Sequence, residues 1–285
     1  MATIGERNAL RVIRESPHGL YLDGEELGEI LLPGRYIPPG TAAGDYLLVF
    51  IHRDSEDRLV ATTEIPTACV GEFASLKVVG VHPQLGAFLD WGLSKDLLLP
   101  MREQAQRIEA GDAGKAVVAF IFLDRKTDRI VATTRLERHL DVTPPPYEEG
   151  QAVQLLIAGE TPLGYKAVVE GAHGGLIYKS TLGSPLTIGQ SLTGYVQAVR
   201  PDGKLDLSLD PAGYARIRPL TEQILAALQA KGGRLNFNDQ STPEAIREAF
   251  GTSKKAFKQA LGALYRARKI RLVGDGIESV EAAEG

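Results

Sequence analysis

Two aromatic-centred groups in this chain have the make-up of a surface that holds unpaired nucleotides: Phe88 with His82 and Trp91 close by, and Tyr178 with Lys166 and Lys179. Single-stranded nucleic acid presents flat base faces and a row of phosphates, so a surface that grips it needs planar side chains to stack on and cations beside them. A third group is purely cationic. Lys254, Lys255 and Lys258 fall in the first turns of an expected helix, and Arg266, Arg268, Lys269 and Arg271 cluster at its end and on the strand that follows. The start of such a helix can lie against a duplex, and the same surface can grip structured RNA. Each group also has a plainer reading: an aromatic in a strand is commonly core, and cations at a helix end complement its dipole or form a solvated face.

Catalytic and metal chemistry find no comparable set of residues. The histidines His18, His52, His82, His139 and His173 are dispersed, and no GxSxG, HExxH, P-loop or GxGxxG pattern occurs. His52-Arg53-Asp54 stands without the other parts of a kinase loop and reads as a polar connection between strands. Cys69, the single cysteine, cannot form an internal disulfide, and no Cys/His spacing suits zinc. No cofactor or metal is expected, and the chain reads as no enzyme.

The elements that must carry these groups are repeated. Asp57-Arg-Leu-Val-Ala-Thr-Thr63 recurs as Asp128-Arg-Ile-Val-Ala-Thr-Thr134, with a degenerate third copy at Gly203-Lys-Leu-Asp-Leu-Ser-Leu209. Each copy alternates apolar and polar residues, as a half-buried strand does, and follows a polar turn. Upstream, Gly19-Leu-Tyr-Leu-Asp23, Gly86-Ala-Phe-Leu-Asp90 and the looser Gly164-Tyr-Lys-Ala-Val168 form a second repeated strand. Its alternation puts Ala87 and Leu89 on one face and Phe88 and Asp90 on the other. Five short strands in each unit predict three tandem OB-fold five-stranded β-barrels, over residues 1–66, 67–142 and 148–211. Beyond Pro211 the apolar period becomes helical, and the order helix, strand, helix, helix, strand, tight turn predicts a winged helix-turn-helix domain over 216–277. Phe257, Leu261, Leu264 and Tyr265 are expected on one face of its third helix.

At 44% hydrophobic and 24% charged residues the composition is that of a globular protein with several small cores, not a membrane-spanning one. No leader pattern is evident at the N-terminus, so a cytoplasmic protein is expected. The net charge of −4 hides an asymmetry, an acidic body followed by a basic C-terminal part that includes Arg216 and Arg218. The two parts are expected to do different work.

The Gly-x-Phe-Leu-Asp strand, the apolar strand after it and the closing Arg-Ile strand resemble the S1 RNA-binding domain. Three such barrels before a winged helix, with the phrases LLLPMREQ and SKKAFKQALGALYRARKI, resemble the conserved-virulence-factor-B family of bacterial RNA-binding regulators. The resemblance implies an outward stacking residue on each barrel: Tyr21, Phe88 and, with a charge in place of the ring, Lys166. It also implies a basic residue opening each closing strand, at Arg58, Arg129 and Lys204. On this reading the partner is single-stranded or structured RNA, bound by the barrels with phosphate contacts from the winged helix. Two other readings stay open: a DNA-binding transcriptional regulator that reads through the winged helix, and a protein-interaction adaptor, which the acidic barrels favour.

Overall fold

A computed structural model describes residues 1–182, 184–200, 202–274 and 276–280, with the backbone alone for 211–219; Arg216 and Arg218 therefore lie outside the described side chains. The first barrel comprises β1 (Arg7–Ser16), β2 (Gly19–Asp23), β3 (Glu29–Pro33), β4 (Tyr46–Arg53) and β5 (Leu59–Thr62), closed in the order β1-β2-β3-β5-β4. Strand β3 runs parallel to β5, and the other described pairs are antiparallel. The second contains β6 (Phe73–His82), β7 (Gly86–Asp90), β8 (Leu97–Pro100), β9 (Ala116–Asp124) and β10 (Arg129–Thr133). The third contains β11 (Ala152–Glu160), β12 (Gly164–Val169), β13 (His173–Tyr178), β14 (Ser191–Val199) and β15 (Leu205–Ser208). All three are closed barrels of the expected OB type.

Alternation builds each core. In β2 Leu20 and Leu22 point inward and join Leu10, Val12, Ile30, Leu32, Val49, Ile51 and Ala61, while Tyr21 and Asp23 face out. The glycines that lead β2 and β7 have a steric reason. Gly19 and Gly86 adopt φ of 143° and 131°, and a Cβ there would lie 2.0 Å from the Leu32 carbonyl oxygen and 2.2 Å from that of Leu99. Only glycine lets the third strand of each barrel come so close. The repeated Asp-Arg pair has its own reason: Asp57 and Asp128 take φ of 63° and 50° in the tight turns before β5 and β10.

Barrels one and two share packing. Phe50, on the outer face of β4, belongs to the apolar cluster of barrel two and meets Trp91 edge-on, ring centroids 5.5 Å apart. The repeated turns are also cross-linked. Arg129 reaches from barrel two to Asp57 of barrel one at 2.7 Å, and Arg53 reaches back to Asp128 at 3.5 Å.

The C-terminal part forms α1 (Pro211–Ala230), β16 (Arg234–Leu235), α2 (Pro243–Phe250), α3 (Lys254–Arg266), β17 (Ile270–Val273) and β18 (Gly276–Ser279), the expected winged helix. The Thr242 hydroxyl accepts the Ala245 N–H and Ser253 that of Ala256, so both helices begin at hydroxyl caps. Gly251 ends α2 in the left-handed conformation. Leu220, Ile224, Leu228, Ile246, Phe257, Leu261, Leu264, Ile270 and Ile277 make the core. Tyr265 does not join them and is 56% exposed. Eight residues beyond Phe257, it has rotated about 80° off that residue's line at 100° per residue.

Candidate nucleic-acid interface

The three stacking positions occupy the same place in their barrels, on the second strand, facing out, between a residue of the first strand and a leucine of the third. Phe88 lies between Gly80 and Leu98, Tyr21 between Arg14 and Leu31, and Lys166 between Gly159 and Leu176. The first-strand residue separates the three sites. Gly80 has nothing within 4 Å of where a side chain would begin, so the half-buried Phe88 ring is uncovered on that side. On the same barrel Val79, which precedes Gly80 in β6, is an exposed large hydrophobic residue. His82 is exposed at the end of β6, where its Nδ1 accepts the backbone N–H groups of Gln84 and Leu85 at 3.2 Å and so fixes the β6–β7 turn.

In barrel one the Arg14 guanidinium lies 3.8 Å from the centroid of the Tyr21 ring. Glu29 holds it there, accepting from Nη2 at 2.7 Å and Nε at 3.2 Å. That hydrogen bond raises the pKa of an already charged guanidinium. Tyr21 thus carries on its own ring a flat cation where a base would stack.

Trp91 is corrected from interface to core. It is 3% exposed, its ring packs against Phe50 and its Nε1–H donates to the Lys95 carbonyl at 2.6 Å. An aromatic with its one polar atom satisfied inside has no face left for a ligand. On barrel three, Tyr178 is half-buried, and its hydroxyl donates to Asp206 at 3.2 Å and accepts from Arg200. Arg200 also pairs with Asp206 at 2.6 Å, so the ring is held at a set angle.

Every expected barrel cation already has a carboxylate. Arg58 pairs with Asp54 and Glu56 at 2.7 and 2.8 Å, Arg129 with Asp57, Lys166 with Glu137 at 2.7 Å, Lys179 with Glu160 at 2.5 Å and Lys204 with Asp202 at 3.5 Å. The Arg129 hydrogen bond holds the Asp57 carboxyl below its ordinary range, and Lys166 does the same to Glu137. Two of these pairs tie modules together: Arg129 bridges barrels one and two, and Lys166 reaches the segment that follows barrel two. As phosphate ligands these side chains would exchange a carboxylate, as Lys258 would with Asp239.

The winged helix differs. Lys255, Arg268 and Lys269 are exposed, and no carboxylate of the described residues lies within 4 Å of them. Lys254 donates to the Gln240 carbonyl at 3.4 Å, Lys258 faces Asp239 at 3.6 Å, and Arg271 pairs with Glu278 at 2.8 Å. Arg268 has φ of 55°, which turns the chain between α3 and β17. Among the described residues no cluster of His, Cys, Asp and Glu could hold a metal, and no helix is long and apolar enough to cross a membrane.

The residues opposite the stacking positions, Arg14, Gly80 and Gly159, are missing from the sequence reading. Their signal was present in the first strands LRVIRES, LKVVGVH and LLIAGE, which align to put these three in one column. A second aromatic group was also missed. On barrel two Phe73 and Phe120 lie 4.8 Å apart across the ladder, and His139 stacks on Phe120 at 4.2 Å. Residues far apart in the chain make that group, and a reading by spacing does not see it.

Comparison with known proteins agrees with this architecture. A model described as S1 domain matches residues 4–64 and 70–135, the first two barrels, and one described as CvfB-like winged helix domain matches 222–278. The Bacillus subtilis protein YitL is 28% identical over 289 residues, covering 93% of this chain and 90% of its own length. Conserved virulence factor B of Staphylococcus epidermidis is 25% identical over 241 residues, covering 80% of this chain and 78% of its own. A solved Streptococcus pneumoniae structure, described as a multidomain protein with nucleic acid binding domains, aligns over 97% of this chain and 98% of its own at 24% identity and a TM-score of 0.39. Two barrels that match the S1 domain model, a third closed barrel and a winged helix that matches the CvfB-like model make this chain similar in its order of domains to the conserved virulence factor B proteins.

Proposed function

We propose that this chain is a non-catalytic RNA-binding regulatory protein. In this reading barrel two stacks an unpaired base on Phe88, barrel three offers Tyr178, and the winged helix supplies phosphate contacts from Lys254, Lys255, Lys258, Arg268 and Lys269. The observation that carries it is the open ring of Phe88 beside Gly80 in an S1-matching barrel, where the equivalent ring of barrel one is covered. Barrel one serves as a support: its stacking residue is capped, and Asp23, Glu25, Glu26 and Glu29 would repel phosphates.

Two results are expected. Tyr21→Ala leaves the affinity of the full chain for a single-stranded RNA within about twofold, because no base reaches a ring already under Arg14; a loss on the scale of one stacked base, ~1 kcal/mol or more, would mean that the guanidinium swings away. The second concerns salt. With the predicted barrel cations Arg58, Arg129, Lys166, Lys179 and Lys204 paired, the charge that releases counterions is assigned to Lys255, Arg268 and Lys269 of the winged helix. Lys255→Ala with Arg268→Ala should therefore lower the slope of log K against log salt by about 1.5 to 2, and Arg58→Ala should leave it almost unchanged. Titrations at several salt concentrations decide this, and an equal drop for Arg58→Ala would move the phosphate path onto the barrels. The same titrations with duplex DNA separate the two nucleic acids: a preference for a defined duplex, carried by the winged helix, would select the DNA-regulator reading.

A further inference from the structure

Helix α3 contains a glycine that the fold does not use. Gly262 sits in the second half of Lys254–Arg266, on the solvent side, and a Cβ placed there would meet nothing within 4 Å outside the helix's own backbone. Glycine is the poorest helix former after proline, so an exposed position of this kind favours almost any other residue. Packing within the described residues supplies no reason for it. Turn chemistry supplies none either, because the helix continues for another turn to its C-cap at Ala267.

The neighbours of Gly262 on the helix surface indicate what would need the space. Lys258 and Arg266 stand four residues before and after it, each about 40° to one side of its line and about 12 Å apart along the axis. The Arg266 Nε–H donates to the Gly262 carbonyl at 3.2 Å, which lays the guanidinium along the helix. Its terminal nitrogens have no partner among the described residues. Lys258 has only an exposed pairing with Asp239 at 3.6 Å, the kind that exchanges readily with another anion. Lys255 lies one turn further back without a carboxylate, and the exposed Tyr265 ring stands three residues ahead. An extended anion in contact with Lys258 and Arg266 together has to pass over position 262, and any side chain there would hold it off.

We infer that Gly262 is the point of closest approach for a phosphodiester strand that crosses α3 between Lys258 and Arg266, the strand belonging to a base-paired stem of RNA. The inference deepens the proposed function and rests on it. It places the structured part of the ligand on α3 and leaves unpaired bases to Phe88. The interaction is made by the absence of a side chain, so substitution should move stability and binding in opposite directions.

The test uses the full-length chain and its Gly262→Ala and Gly262→Gln variants, with a stem–loop RNA carrying a single-stranded tail and a DNA duplex of the stem sequence as probes. Both variants should melt a few degrees higher than the parent, since each replaces glycine with a better helix former in open space. Stem–loop affinity should fall severalfold for Gly262→Ala and tenfold or more for Gly262→Gln, whereas Phe88→Ala should weaken binding through the tail alone. A variant set that is more stable and binds the stem–loop within twofold of the parent overturns the inference while the wider RNA reading stands. A loss seen with the DNA duplex and not with RNA overturns the assignment of the strand to RNA. If the parent binds neither probe, the proposed function itself fails and this inference falls with it.

Discussion

Replacing Phe88 with alanine is expected to weaken binding of a single-stranded RNA by roughly 5- to 150-fold, the equivalent of ~1–3 kcal/mol for one stacked base. The ring faces out of barrel two between Leu98, which supports one side, and Gly80, which leaves the other side open. Its outward position means that the loss should appear in affinity much more than in folding, because Ala87, Leu89 and the rest of the inner row are untouched. Two companions sharpen the test. Phe88→Tyr keeps a π-face and should retain most of the affinity, while Phe88→Leu keeps apolar bulk without the face and should lose it. Equal binding by the parent and Phe88→Leu would show a greasy contact and no stacking.

The second large effect is on stability. Trp91→Ala should cost about 3–5 kcal/mol, the usual range for truncating a buried large aromatic. The indole fills the junction between barrels one and two, against Phe50 on one side and within the barrel-two cluster on the other, and its N–H is already spent on the Lys95 carbonyl. Urea unfolding should show an earlier transition for the coupled barrels, and the protein that remains folded at low urea should bind RNA as the parent does. A Trp91→Ala variant of unchanged stability and reduced affinity would return the residue to the interface.

These two aromatics show which parts of the molecule can be read from the chain. Phe88 was legible because strand alternation is local: Ala87 and Leu89 are inside, so the residue between them is outside. The barrels were legible for the same reason, helped by glycines that only a close strand crossing explains. In the winged helix, Thr242 and Ser253 cap the starts of α2 and α3 by hydrogen bonds that are likewise local in the chain. Trp91, three residues from Phe88, follows its strand, and there alternation lapses; its burial depends on barrel one supplying Phe50. Arg58 and Arg129 open the same repeated motif, yet one pairs within its own turn and the other crosses to the neighbouring barrel. No property of the motif separates them, because the difference lies in how one barrel packs on the next.

The capping of Tyr21 was hidden by a register shift. In all three barrels the first strand is irregular just before the residue that faces the stacking position, between Val12 and Arg14, Val78 and Gly80, and Ile157 and Gly159. A bulge of this kind changes which residue stands opposite, and simple counting along two strands misses it. Once the register is known, one column separates the three positions: Arg14 covers the Tyr21 ring, while Gly80 and Gly159 set no side chain opposite Phe88 and Lys166.

The claim that matters most is that this protein holds RNA through both an aromatic barrel face and a cationic winged helix. A fluorescence-anisotropy titration of the full chain with single-stranded RNA, single-stranded DNA and duplex DNA, each at low and at physiological salt, tests it most directly. Saturable RNA binding that weakens with salt is expected, with a preference for RNA over duplex DNA. Binding to duplex DNA alone, or no binding to any of the three at either salt concentration, would contradict it.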